Sequence, residues 1–598
     1  MFFGNKYAER IAALREFMAS RSIDAVIVAA SDPHMSEYIA ARWQSVKWLT
    51  GFSAEAADVV ITACHAGLWT DSRYFIQAER ELAGTGVVLH KTRMADSVGI
   101  PEWLAGQGVR TVLFDGTCQS AEFVGSLRNA LGDEAVLEDF PDFISELWDD
   151  RPAVPFNPIV TQDVESFGGI HRKDKIAWLR EWMSVRGVDS MLLTALDEIA
   201  WTLNVRGSDI EYNPLVISYL LIDADDIVWY VMKDDGDLPA DTNDSFYELE
   251  QDGVRIEYYS NIDYAFTSQR RMFVDPSTLN YHIFSLLGDI ELVKGQSPVI
   301  LQKAIKCPSE IESLRQTFIE DGAAVESFLY WLENELANGR DVNEWQASEK
   351  LTALRSLIPG YRGNSFENIS AYGANAALPH YSTPVSGSSQ ISRRGFYLSD
   401  SGGQYLTGTT DITRTVPVGR CSDLEKEDYT LVLKGMIDLA MAVFPEGSTG
   451  GQIDAIARQP LWQARRNFGH GTGHGIGFWL CVHEGPQSIR QNLNPQPLMP
   501  GMVTSDEPAL YREGRYGIRH ENVILCVEKG SNEFGRWLGF ETLTCCHIDT
   551  SAIIPELLGA VEIEWLNDYN EQVYRKLKPY LAPVVCDWLS EKTRPIEI

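Results

Sequence analysis

Residues 395–416 read GFYLSDSGGQYLTGTTDITRTV, with Asp400 and Asp411 eleven positions apart. That gap fits one face of a helix or two neighbouring strands. The glycines and the β-branched threonines make the helix the poorer reading, because both cost helix stability and the threonines suit a pleated surface. Phe396, Leu398 and Asp400 alternate along one strand, and Asp411, Thr413 and Thr415 along another. Ser401-Gly402-Gly403 and Thr407-Gly408 supply the turn chemistry between them. Both aspartates are therefore expected on paired strands, facing one side.

Downstream, residues 469–475 read GHGTGHG, placing His470 and His474 four apart. Helical metal sites use that spacing, but each glycine costs a helix about 1 kcal/mol relative to alanine. A loop or irregular strand end follows, whose glycines admit a close backbone approach to a ligand, a metal cluster or another strand. Residues 501–527 read GMVTSDEPALYREGRYGIRHENVILCV. Val503, Ser505 and Glu507 alternate up to Pro508, which ends the strand; Arg519, Glu521, Val523 and Leu525 alternate along the next. A carboxylate on such an apolar strand is costly unless paired. Arg519 is available to pair with Glu507 or Glu521, and divalent cations would neutralise the whole cluster. Four acids with His474 make a hard, oxygen-rich site that suits Mn²⁺ better than zinc or copper. Two ions fit better than one, since bridging carboxylates hold such pairs about 3.5–4 Å apart. His520, beside Glu521, points to the opposite face by alternation and reads as a packing or surface residue.

The chain of 598 residues is long enough for three or four domains. Its net charge of -33 disfavours nucleic acid and anionic membranes as partners, and tolerates a cationic ligand such as a free peptide amine. Nine scattered cysteines without CxxC spacing fit neither a disulfide framework nor a structural zinc site, and Cys545-Cys546 reads as part of a buried strand. The N-terminal residues carry charge where a signal peptide needs an apolar stretch, so a cytoplasmic location is expected. LREFMASRSIDAVIV at 14–28 is echoed by LREWMSVRGVDSMLL at 179–193. Each reads as an amphipathic helix, a short turn and a strand, and two copies of one α/β domain explain the echo. DDRPAVPFNP at 149–158 suits a linker. Near CPSEIESLR at 307–315, Ser309 is placed to cap a helix running to about Leu336. The expected domains are 1–158, 159–306 and 307–598, the last ending in helices.

The set DSGGQYLTGTTDITRT, GHGTGHGIGFWLCVHEGP, SDEPALY and GIRHENV resembles the metal-binding signature of the Xaa-Pro aminopeptidase (aminopeptidase P) family in its long, three-domain form. The likeness extends over the chain, through LWTDSRYFIQA at 68–78, TALDEIAWTLNVRGSDIEYNP at 194–214 and FETLTCCHIDTSAI at 540–553. It implies an α/β (α+β) protein with two creatinase-like N-terminal α/β domains followed by a pita-bread catalytic domain. It implies two divalent ions, Mn²⁺ by preference, with Asp400 on one, His474 and Glu507 on the other, and Asp411 and Glu521 bridging both. A hydroxide held between them would attack the carbonyl before proline, Glu507 carrying the proton to the departing nitrogen. His470 would lie near the proline ring, His380 would contact substrate or relay protons, and His483 would hydrogen-bond the scissile carbonyl. Arg519 joins these histidines as a substrate-binding residue. The substrates implied are peptides with proline second, and the assembly a homodimer. Two rival readings are a prolidase-like Xaa-Pro dipeptidase and a binding scaffold of the same fold, although scaffolds of that kind lose ligands that are all present here.

Overall fold

Helix α1 (Lys6–Arg21) buries Ile11, Leu14, Phe17 and Met18. These side chains pack on a six-stranded sheet made of β1 (Ala25–Ala29), β2 (Asp58–Thr62), β3 (Ala66–Thr70), β4 (Val88–Lys91), β5 (Thr111–Phe114) and β6 (Val136–Asp139). Its strand order is β4-β3-β2-β1-β5-β6. Helix α2 (Arg172–Arg186) leads into a second sheet of β7 (Ser190–Leu193), β8 (Ser218–Asp223), β9 (Ile227–Val231), β10 (Arg255–Tyr258), β11 (Arg271–Val274) and β12 (Glu291–Lys294). The order there is β10-β9-β8-β7-β11-β12, the same plan. Strand senses match as well: β1–β2 and β7–β8 are antiparallel, while β1–β5 and β7–β11 are parallel.

The echoed residues explain the match. Ser22 (φ 59°) and Gly187 (φ 63°) both turn the chain through the left-handed region, which stops each helix. The aspartate two residues on then fixes the register of the parallel neighbour. Asp24 Oδ2 accepts the backbone N–H groups of Arg110 and Thr111, each at 2.9 Å. Asp189 Oδ2 accepts those of Arg270 and Arg271, at 3.1 and 3.0 Å.

This computed structural model describes residues 6–54, 56–94, 96–233 and 240–597; the first five residues, on which the N-terminal expectation rests in part, lie outside that range. Contacts divide the chain into two compact units, 1–162 with 171–299, and 163–170 with 300–598. The proline-rich stretch 149–158 contains neither helix nor strand.

The long helix of the second unit is α3 (Pro308–Ala337). Its cap is Cys307 rather than Ser309: Pro308 takes the first helical position, and Glu310 reaches back to the Cys307 N–H at 2.8 Å. After α4 (Glu344–Arg355), strands β13 (Ile369–Tyr372), β14 (Phe396–Ser401) and β15 (Ile412–Pro417) form an antiparallel sheet with β14 in the middle. Helix α5 (Asp423–Ala440), strand β16 (Val443–Pro445) and helix α6 (Gly450–Gln463) follow. Then come β17 (Gly473–Gly475), β18 (Glu484–Ile489), β19 (Val503–Asp506), β20 (Ala509–Arg512), β21 (Tyr516–Arg519), β22 (Asn522–Asn532) and β23 (Gly535–Thr542). Six of the strands make a sheet in the order β16-β23-β22-β19-β17-β18, and β20 pairs with β21 as a hairpin.

The chain ends in α7 (Ala560–Leu577) and α8 (Pro583–Lys592). Cys545 and Cys546 are buried as expected, but in an irregular segment, not a strand. Helix α3 lies so close to that segment that a Cβ on Gly322 would stand 1.9 Å from the Cys545 carbonyl oxygen, a backbone contact that replaces strand pairing. All nine cysteines are free, and among the described residues no helix is long and apolar enough to cross a membrane.

Candidate metal centre

Asp400 lies on β14 opposite Thr413 of β15. Asp411 is two residues before Thr413 and so shares its face, as alternation requires, but it sits one residue outside the strand. Glu507 is likewise one residue past β19, and Glu521 one residue before β22. The simple picture of carboxylates within strands is corrected at these three positions. Pro508 has no N–H for a ladder, so the strand cannot continue past Glu507. The backbone still pins both glutamates: Glu507 N donates to the Thr472 carbonyl at 2.8 Å, and Glu521 N to the Thr413 carbonyl at 3.2 Å. Those two bonds draw the GHGTGHG stretch, the Asp400 sheet and the Glu507–Glu521 segment together.

Two glycines of GHGTGHG, Gly473 and Gly475, serve the approach of neighbouring strands. A Cβ on Gly473 would lie 1.9 Å from the Ser505 carbonyl oxygen, and one on Gly475 would lie 2.2 Å from that of Glu484. They let β17 press between β18 and β19, and this compression carries His474 inward.

His474 Nδ1 lies 3.0 Å from the Gly475 carbonyl oxygen, an acceptor only, so this nitrogen carries the proton. Its Nε2 is then a lone pair, and it faces Asp411 Oδ2 and Glu507 Oε1, each at 3.5 Å. Asp411, His474 and Glu521 bring ligand atoms within 4.8 Å of one another. Ser505 accepts the His474 backbone N–H at 3.0 Å and donates to Glu507 Oε1 at 3.2 Å. Thr413 donates to Glu521 Oε2 at 2.8 Å.

Arg519 forms an ion pair with Asp400 Oδ2 rather than with either glutamate. The Nη2 of that pair also donates to the Pro379 carbonyl at 3.4 Å, while Nε reaches Thr413 Oγ1 at 3.1 Å and Nη1 the Tyr511 hydroxyl at 2.5 Å. A guanidinium only donates, so Tyr511 accepts from it and gives its own proton to His470 Nε2, 2.8 Å away. His470 therefore carries its proton on Nδ1, which meets the Gly471 carbonyl at 2.6 Å. A relay His470–Tyr511–Arg519–Asp400 results. Sequence reading missed Tyr511, whose signal was its place on the hairpin strand following Glu507-Pro508.

The His483 ring stands edge-on to His474, centroids 4.3 Å apart. His380 follows Pro379, whose carbonyl Arg519 engages. His520 turns away as expected and is buried edge-on against Tyr429, centroids 4.4 Å apart. Behind His483, Glu484 is held by two fully buried lysines, Lys306 and Lys303, the latter at 3.0 Å.

The electrostatics show what the cluster requires. Burial, reinforced by Asp400 and Glu507, holds the Asp411 carboxyl well above its ordinary range. Burial, with Asp411, Glu507 and Asp400, does the same to Glu521. Burial pushes Glu507 up to about 7, against the pull of Arg519 and with that of Asp400. One guanidinium cannot balance four carboxylates. Asp400 Oδ1 is buried without a hydrogen-bond partner. An orphaned carboxylate oxygen, an aimed imidazole lone pair and mutually repelling acids are the donor set of a divalent-cation site, and the residues present fit one.

Residues 312–528 match the family model for metallopeptidase family M24, and 536–596 that for its C-terminal region. Residues 10–147 and 150–310 match two models of the creatinase/prolidase N-terminal domain. Over 98% of its length the chain is 37% identical to a probable Xaa-Pro aminopeptidase P of Laccaria bicolor, covering 93% of that protein. It is 33% identical to aminopeptidase P1 of Arabidopsis thaliana, over 99% of this chain and 100% of that one. The chain belongs to the Xaa-Pro aminopeptidase P family. A solved structure similar to it is that of the X-prolyl aminopeptidase of Caenorhabditis elegans, a cytosolic enzyme with a di-nuclear active site. That structure matches with a TM-score of 0.93 and 34% identity, over 99% of this chain and 100% of the other. The chain is a metallopeptidase with two creatinase-type domains before a pita-bread domain, and its centre suits two divalent ions.

Proposed function

We propose that this protein releases the N-terminal residue from peptides whose second residue is proline, using a dinuclear Mn²⁺ centre. The observation that carries the reading is the convergence of Asp400, Asp411, His474, Glu507 and Glu521, four acids and an imidazole lone pair with one guanidinium among them. Asp400, Asp411, His474, Glu507 and Glu521 are the residues that would hold the two ions. When bound, such ions supply Lewis-acid activation of water and of the scissile carbonyl.

The chain's own side chains do the rest. Glu507, its Oε1 steadied by the Ser505 hydroxyl, takes a proton from water and returns it to the departing proline nitrogen. His483, packed on His474, donates to the scissile carbonyl as charge builds on its oxygen. His470 and His380 bind on the proline side, His470 with its proton fixed on Nδ1 through Tyr511. Arg519, read from sequence as a substrate contact, acts by positioning Asp400 and Tyr511. A proline nitrogen carries no hydrogen, so the pocket needs no acceptor there, and an ordinary amide N–H at that place would be left unpaired. The division 1–158, 159–306 and 307–598, a homodimeric assembly and a cytoplasmic location belong to the same proposal.

The deciding experiment compares Xaa-Pro-Xaa tripeptides with Xaa-Pro dipeptides on purified, Mn²⁺-loaded protein. Release of the free N-terminal residue from the tripeptide is expected. Cleavage of dipeptides alone would make it a prolidase-like dipeptidase, and cleavage of neither would make it a binding scaffold.

A further inference from the structure

The first sheet carries a pair of imidazoles that the peptidase reading leaves unused. His65 ends the turn between β2 and β3, and His90 lies on β4 opposite Trp69 of β3. Their Nε2 atoms are 3.1 Å apart, and both rings are partly exposed. Aromatic walls hold them. The His90 ring stacks on the Trp69 indole, centroids 3.9 Å apart and planes 4° from parallel, while Trp103 packs on His65 at 4.8 Å. Gly67 makes the approach feasible: a Cβ there would stand 2.6 Å from His65 Nε2 and 2.9 Å from His90 Cδ2. Any other residue at position 67 would push the rings apart.

Two neutral imidazoles at this separation can share one proton. The same separation also lets two Nε2 atoms share a single ion. Nitrogens about 2.0–2.1 Å from a tetrahedral ion are about 3.3 Å from each other, close to the spacing seen. Ligation needs unprotonated rings. Burial lowers the pKa of both, helped at His65 by Arg15 and at His90 by His65. Among the described residues no third His, Cys, Asp or Glu places a ligand atom within 4.8 Å of both, so the remaining coordination positions would fall to water.

We propose that His65 and His90 form a second metal site, in the first domain, which binds one borderline transition-metal ion such as Cu²⁺, Ni²⁺ or Zn²⁺ through its two Nε2 atoms. Its donors are all imidazole, whereas the catalytic cluster is mostly carboxylate. The two sites therefore sort ions by hardness: Mn²⁺ has no reason to prefer the histidine pair, and Cu²⁺ or Ni²⁺ does.

The test uses the full chain, loaded with Mn²⁺, in three forms: unaltered, His65→Gln and His90→Gln. Equilibrium dialysis against Ni²⁺ should show the unaltered protein taking up one equivalent more than either variant, with peptidase activity and melting midpoint unchanged among the three. Substoichiometric Cu²⁺ added to the unaltered protein should give an electron paramagnetic resonance spectrum with coupling to two imidazole nitrogens, a readout that does not depend on how the variants fold. Equal Ni²⁺ uptake by all three forms, or a Cu²⁺ spectrum with fewer than two imidazole nitrogens, overturns the proposal and leaves the pair as a hydrogen-bonded packing contact.

Discussion

Stripping divalent ions from the protein should make its stability fall with rising pH, and returning them should abolish the effect. In the folded chain burial holds Glu507 at about 7, against an ordinary 4.5. A carboxyl that binds its proton more tightly when folded contributes stability that is complete below 4.5 and lost as pH rises through 7. For Glu507 alone the difference corresponds to roughly 3 kcal/mol. Asp411 and Glu521 are displaced in the same direction and deepen the loss. Divalent ions neutralise the carboxylates without protons, so the loaded protein has nothing to lose over that range. Thermal unfolding of chelator-treated and Mn²⁺-loaded samples at pH 5 and pH 8 measures the difference. The transition of the catalytic unit should drop by about 5 °C or more between the two pH values in the stripped sample and stay nearly level in the loaded one, since 1 kcal/mol shifts a domain of this size by roughly 2 °C. Parallel pH dependence in both samples, or none in the stripped one, would refute the argument that these acids are held together at an electrostatic cost that metal relieves.

Other perturbations test single contacts. Tyr511→Phe removes the oxygen that links Arg519 to His470; losing a hydrogen bond to a charged group costs about 2 kcal/mol, so kcat/KM should fall about thirtyfold, as steady-state rates on a Xaa-Pro tripeptide would report. Gly473→Ala sets a methyl against a backbone carbonyl at 1.9 Å, and denaturant unfolding should show a loss of roughly 3 kcal/mol or more together with impaired metal uptake. Lys306→Met leaves Glu484 with Lys303 alone; a broken buried pair costs roughly 3–5 kcal/mol, the lower end being expected here, and loosening the segment that bears His483 should reduce kcat more than it raises KM.

Much of this architecture could be read from residues close together in the chain. The doubled α/β unit showed itself because one aspartate after each turn has the same task, accepting two backbone N–H groups from the adjoining strand. The common face of Asp400 and Asp411 followed from the two-residue period of a strand. What escaped the sequence depends on distant partners or on where a strand stops. Alternation carries straight past a strand end, so nothing local marked Asp411, Glu507 and Glu521 as lying just outside theirs. Arg519 is two residues before Glu521 in sequence but finds Asp400 across the fold. Cys307 replaced Ser309 as a cap because Pro308 and Glu310 together outweigh a better capping side chain. The buried Cys545-Cys546 segment is shaped by Gly322 on a helix more than two hundred residues earlier.

The strand-end placement of three acids bears on how this protein can change over time. Glu507 and Glu521 keep their main-chain bonds to Thr472 and Thr413 whatever side chain they carry. Replacing either acid therefore removes chemistry without unravelling a sheet, and even relieves repulsion among buried charges. A descendant could abandon catalysis in one or two substitutions and inherit the intact frame, free to be recruited for recognition alone.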